Sequence, residues 1–134
     1  MIILTNSTSL TLGPGQSATF DTVVLHTGCA ECYRNGSGAV TLRMQNAMYE
    51  IAAGGNIGAT TAGDVANLTV FLNGSPLPET VMNHTTAAVG DVNNVYRETA
   101  VRTCCCGAET ATIRNNGEAT IVLENPLFKI KRIA

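Results

Sequence analysis

Apolar positions recur along much of this chain with a period of two, the pattern of strands with one buried and one solvated face. Val40 and Leu42 share a face of Ala39–Arg43. Leu68, Val70 and Leu72 share a face of Ala66–Leu72, with Asn67, Thr69 and Phe71 opposite. A similar alternation opens Ala18–Leu25, where Ala18, Phe20 and Thr22 lie on one side. Met1–Leu4, Ser9–Leu12, Met48–Ala52, Val95–Arg102, Ala111–Arg114, Ala119–Leu123 and Leu127–Ile133 also read as extended. Turn residues separate them: Gly13-Pro14-Gly15-Gln16, Asn35-Gly36-Ser37-Gly38 and, most sharply, Asn73-Gly74. Asn-Gly supplies the two positive-φ residues of a type I′ turn and predicts a hairpin, whose returning strand Pro76 and Pro78 make an edge or a bulged one. Asn115–Glu118 predicts a second hairpin, and Asn125-Pro126 a break before the last strand. Gly54–Gly63 is small and Gly/Ala/Thr-rich, which predicts a loop or an irregular strand; Asn83–Asn94 reads as a longer polar region.

No window sustains apolar residues at i, i+3, i+4 and i+7 over three turns. Met44–Ile51 comes nearest, and Thr41 and Gly54 leave it little room. Roughly eight short strands with turn signals about every 8–12 residues predict an antiparallel β-sandwich or barrel. The chain is therefore expected to be all-β, one domain over residues 1–134, without internal repeat or linker.

Composition adds an expectation about the surface. Charged residues make up 13 % of the 134 positions, about half the usual share, while 45 % are apolar. Much of the exterior must be uncharged, which invites burial against other copies. A net charge of −2 lacks the basic field of nucleic-acid binders, and no run approaches the roughly 18 apolar residues of a membrane span. Met1–Asn6 has no basic region and too short an apolar run for a signal peptide, so the expectation is a soluble chain outside the ordinary secretory route. The sequons at Asn6, Asn35, Asn67, Asn73 and Asn83 then reflect an Asn- and Thr-rich composition rather than glycosylation.

Cysteine carries the most chemistry. Cys29 and Cys32 form a C-x-x-C, and Cys104-Cys105-Cys106 is a triple run. Cys29, Cys32, Cys104 and Cys106 could hold a tetrahedral structural zinc, although a one-residue gap is unusual for such a site. A disulfide between the clusters, or plain packing of free thiols, is open as well. A thioredoxin-type site needs a βαβ setting that is missing. His26 lies near Cys29, yet no second histidine is spaced to join it. Glu31 could act as a base, but no nucleophile or oxyanion site accompanies it. No HExxH, serine elbow or phosphate loop occurs, so the chain reads as a non-enzyme. Lys129, Lys131 and Arg132 form the only basic cluster, best read as a solvated strand face or a match for acids of a neighbouring subunit. Tyr33, Tyr49 and Tyr96 are candidates for stacking or for the core.

The order of these segments resembles the tumour-necrosis-factor-like jelly roll, and more narrowly its small bacterial and phage-encoded members. Leu10-Thr11-Leu12-Gly13-Pro14-Gly15-Gln16 leading to Phe20-Asp21, Gly28–Arg34 with Gly38–Leu42, and Val70–Pro78 carry the likeness, followed by Cys104–Cys106, Thr112–Asn115 and Lys131–Ile133. The resemblance implies an antiparallel jelly-roll β-sandwich that forms homotrimers whose inner sheets meet on a three-fold axis. It implies a structural role on a virion or other particle surface, as a capsid decoration or a fibre or tail component, with other structural proteins as partners. Binding of a glycan or receptor, through loops such as Asn83–Asn94, is the alternative. It brings no catalytic residues.

Overall fold

The Asn73-Gly74 signal is realised as a tight turn, with φ 52° at Asn73 and 80° at Gly74. It joins β7 (Val65–Leu72) to the short edge strand β8 (Ser75–Pro76). The computed structural model describes residues 1–34, 36–104 and 108–134, and within these the chain is all-β with two antiparallel sheets. The front sheet runs β10 (Asn93–Arg102), β6 (Met48–Ala59), β12 (Ile121–Arg132), β1 (Ile2–Thr5), β3 (Thr22–His26), with β2 (Leu10–Leu12) also pairing β12. The back sheet runs β4 (Glu31–Tyr33), β5 (Val40–Leu42), β11 (Glu109–Arg114), β7, β8, and β9 (Met82–Thr85) also pairs β7, along Val65–Leu68. One 3-10 turn occurs at Pro78–Thr80, and no described helix is long and apolar enough to cross a membrane. The architecture is a jelly-roll β-sandwich.

Both inner faces meet in one core. Ile2 and Leu4, Tyr49 and Ile51, Ile121, Leu123, Phe128 and Ile130 come from the front, and Val40, Leu42, Leu68, Val70 and Ile113 from the back. Phe20 stacks on Phe128 with ring centroids 5.6 Å apart.

Several stretches of the expected pattern take their form from partners distant in sequence. Ala18 and Phe20 are buried, but regular pairing begins only at Thr22, because this stretch crosses between sheets: Ala18 N donates to Ile113 O, and Phe20 N to Ser37 O. Of the loop or irregular strand expected over Gly54–Gly63, the strand is what forms: Gly54–Ala59 is the second half of β6. Its glycines are needed by close neighbours, since a Cβ on Gly54 would stand 2.5 Å from Val95 O and one on Gly58 2.3 Å from Asp91 O. The polar region after Asn83 includes β9. Residues 115–118 do not close a hairpin, because β11 and β12 belong to different sheets. Asn125-Pro126 does not end a strand either: Asn125, at φ 48°, makes a bulge in a continuous β12. Asn35 of the second turn lies outside the described residues.

Candidate functional site

Of the expected cysteine centre, Cys29, Cys32 and Cys104 lie among the described residues. Cys29 and Cys32 sit in and beside the β3–β4 connection, and Cys104 follows β10; all three are exposed. The 43–47 turn links the two segments. Ala30 O accepts from Arg43 N at 2.9 Å and from Tyr49 Oη at 2.7 Å, while Asn46 N donates to Cys104 O at 3.3 Å. Buried Thr103 closes the link by donating to Met44 O at 2.6 Å and accepting from Ala47 N at 3.0 Å. Cys105 and Cys106 lie outside the described residues. Among the described residues, no three His, Cys, Asp or Glu side chains are placed to hold a metal ion.

The other candidates resolve individually. His26 Nε2 stands 3.0 Å from Glu31 O, so the backbone occupies that nitrogen. Glu31 is no exposed base: it is 1 % exposed, paired with the Met1 amine at 3.2 Å, and accepts from Arg132 N at 3.2 Å. Tyr49 is core. Tyr33 is half-buried, with its hydroxyl donating to Phe20 O and Ser37 O; burial pushes both phenols above the ordinary tyrosine pKa. Tyr96 is 52 % exposed and donates to Glu98 Oε2 at 2.8 Å, a bond that holds its proton and raises its pKa. The Asn6 amide is spent inside the fold, donating to Thr19 O and accepting from Thr8.

The outer face of the front sheet is ordered by register. Leu25, Ile3, Lys129, Ala52 and Glu98 form one row across five strands. Leu127, Gly54 and Tyr96 form the next, and Lys131, Glu50 and Ala100 another. Lys129 and Lys131 of the basic cluster thus sit among small and apolar residues, with Lys131 directly opposite Glu50. At the edge, β3 leaves Val23, Val24 and Leu25 exposed at 43, 59 and 39 %.

A second surface feature is a cleft of about 560 Å³ lined by Gly63, Asp64, Val65, Asn67, Asn83 and the turn Gly117–Ala119. It lies where β7 begins, beside β9 and the crossover from β11 to β12. Two amides are oriented there: Thr69 Oγ1 donates to Asn67 Oδ1, and Asn67 Nδ2 to Asn83 Oδ1, each at 2.9 Å. The supports are rigid. Gly63 N donates to Thr86 O at 2.7 Å and Thr86 N to Asp64 O at 2.9 Å, while the Thr86 hydroxyl accepts from Ala59 N at 2.7 Å. Beyond Thr86, Asp91 Oδ2 accepts from Ala87 N and stands 3.3 Å from His84 Nε2, tying down a loop whose tip, Val89, is 74 % exposed.

Sequence reasoning had picked Asn83 as the start of a binding region but not Asp64, Asn67 or Glu118. The sequons marked both asparagines, and their meeting depends on β7–β9 pairing, which places Asn67 opposite Asn83.

No protein-family model matches the chain, and no curated protein matches its sequence. In fold it is similar to the PRD1 vertex protein P5, a phage protein, with a TM-score of 0.54 and 14 % identity over 96 % of this chain and 92 % of that one. The CBM22-1 xylan-binding domain of Paenibacillus barcinonensis Xyn10C aligns at a TM-score of 0.42 and 9 % identity, covering 98 % and 87 %. At such identities the likeness concerns the fold.

Proposed function

We propose that this chain is a non-enzymatic structural protein, a tumour-necrosis-factor-like jelly roll that forms homotrimers and decorates the surface of a phage particle. The observation that carries the reading is the outer face of the front sheet. Partly exposed Ile3 and Leu127, exposed Tyr96 and the exposed Val23, Val24 and Leu25 of the β3 edge give it apolar area, while Ala52 and Gly54 keep its middle low and Lys129, Lys131, Glu50 and Glu98 are interspersed. Removing such a patch from water is favourable in proportion to its apolar area, and a closed rotation buries the same patch on every copy. Two contacts of about 800 Å² each, one to either neighbour, would take about a quarter of the 6369 Å² surface. Lys129 and Lys131 on the central strand β12 and Glu98 on the edge strand β10 supply both signs of charge to this face, which a neighbour turned against it can match. The fold likeness to a phage vertex protein supports placement on a virion.

Mass by light scattering tests the assembly. The expected species is about 42 kDa, three times the 14.0 kDa chain. Tyr96→Arg, which sets a further cation into the face beside Gly54, should shift it towards the single chain without changing the melting of the monomer. A wild-type mass of 14.0 kDa at micromolar concentration would refute the trimer and the decoration role that depends on it.

A further inference from the structure

We propose that the cleft between β7, β9 and the Gly117–Ala119 turn binds a neutral oligosaccharide, an activity separate from any structural role of the front face. Its hydrogen-bonding groups define the ligand. The Asp64 and Glu118 carboxylates enter no hydrogen bond or ion pair among the described residues, so each keeps its full accepting capacity. The Asn67–Asn83 relay consumes the Asn83 oxygen and leaves its Nδ2 as a donor held in one direction. A ligand must therefore donate to two carboxylates and accept from an amide within one cleft.

An anion, whether phosphate, sulfate or an acidic sugar, would meet two carboxylates. An ammonium group would satisfy them but has no lone pair for Asn83 Nδ2. A hydroxyl both donates and accepts, and a sugar ring presents such hydroxyls in adjacent pairs. Val65, 47 % exposed, and Ala119 add an apolar patch for the C–H face of the ring. The cleft, about 560 Å³, falls within the ~300–1,000 Å³ of ordinary ligand sites. Its amides are positioned beforehand. Asn67 and Asn83 stand on paired strands, and Gly117 keeps the opposite wall low, since a Cβ there would come within 3.0 Å of Asn67 Cβ. The two amides then need little ordering on binding, and the exposed Asp64 and Glu118 side chains are the parts a ligand must order.

The test is an NMR titration of the ¹⁵N-labelled full chain with the linear hexaoses of glucose (α- and β-linked), mannose and galactose at millimolar concentration. The expected result is a saturable shift of the Asn67 and Asn83 side-chain amides and of residues 63–67 and 117–119, with at least one of them. Asn83→Asp, and separately Asp64→Asn with Glu118→Gln, should weaken that binding about tenfold or more, as expected when a hydroxyl partner is lost. Arg43→Gln, at an exposed residue that does not line the cleft, should leave it unchanged, and melting of each variant checks the fold. No saturable shift with any hexaose overturns the proposal. So does binding that survives both sets of substitutions, or a response only to polygalacturonate or polylysine. Oligomeric mass is read on the same samples, so a trimer that binds no sugar, or a monomer that does, separates this site from the assembly.

Discussion

Asn115 is the side chain on which the junction between the sheets turns, and Asn115→Ala should be among the most damaging polar substitutions in the chain. The residue is fully buried. Its Nδ2 donates to Leu12 O at 3.0 Å and to Ala119 O at 2.7 Å, and its Oδ1 accepts from Gly117 N at 3.0 Å. Its backbone bonds to Gly15 and Gln16, so one residue joins the Gly13–Gln16 turn to the crossover between β11 and β12. Truncation leaves two carbonyls and one N–H without their partner. A buried group so abandoned costs about 1–3 kcal/mol, but Ala119 O and Gly117 N are only partly buried and regain some solvation. We expect a loss of roughly 3–4 kcal/mol, a large fraction of the ~5–15 kcal/mol of a typical domain. At roughly 4 °C per kcal/mol for a chain of this size the melting temperature falls by about 12–16 °C. Thermal and urea unfolding followed by circular dichroism, at one fixed protein concentration because assembly also stabilises, would measure it. Asn116→Ala, next door but exposed, should stay within about 0.5 kcal/mol of wild type. An Asn115→Ala loss below about 1 kcal/mol would refute the hub and the account of the crossover built on it.

Three further outcomes are expected. Gly58→Ala should cost roughly 2–3 kcal/mol because its Cβ would lie 2.3 Å from Asp91 O, whereas Gly15→Ala, with open space around it, should cost only the left-handed strain of about 1 kcal/mol; chemical denaturation of the pair compares them. The Asp21 carboxylate accepts from the Ser7 hydroxyl and backbone N–H and from Thr22, which hold its pKa below the ordinary value. Its contribution is therefore complete above the unfolded-state pKa and lost as pH falls through the lower folded value, and carboxyl NMR should show Ser7→Ala moving that titration upward. Cys29 and Cys32, both exposed, should be alkylated by iodoacetamide in the native reduced protein without denaturant; mass mapping reads this, and protection that a chelator removes would instead assign them to zinc.

Period and turn chemistry made the sandwich legible, and they did so through local physics. Val40 and Leu42, or Leu68 and Val70, carry their burial in the alternation itself, and Asn73-Gly74 carries its turn in the backbone freedom of two residues. What stayed hidden depends on partners distant in sequence. Gly54–Ala59 lacks side chains large enough to announce a strand, because Val95 O and Asp91 O lie where larger ones would go. The 115–118 turn looks the same locally whether its flanking strands pair with each other or join different sheets. Only Asn115, buried instead of at a solvated turn tip, distinguishes the two. Asn125-Pro126 likewise reads as a stop until β1 and β6 on either side carry β12 through it as a bulge.

The candidate sites were less legible for a related reason. Rare residues with strong intrinsic chemistry draw the eye in a sequence, here cysteine and histidine. Yet His26 ends against a backbone carbonyl, and Glu31 within the C-x-x-C is buried in an ion pair. The surfaces with unspent capacity are made of common residues whose meaning is positional. Lys129, Ala52 and Glu98 are unremarkable apart, and become one row only through two strand registers. Asn67 and Asn83 are ordinary polar residues until β7 and β9 pair, at which point one amide orients the other and leaves a directed donor beside two carboxylates that have no partner among the described residues. The low charge of the chain takes on a different meaning in that light. The front sheet has an outer face on which apolar and small residues interrupt the charges, suited to another copy, while the back sheet spends its polarity on threonine and asparagine, whose hydrogen bonds can be aimed. A chain that lost its cysteines should therefore keep both surfaces, while a one-residue slip of β9 against β7 would abolish the cleft by turning Asn83 to the opposite side.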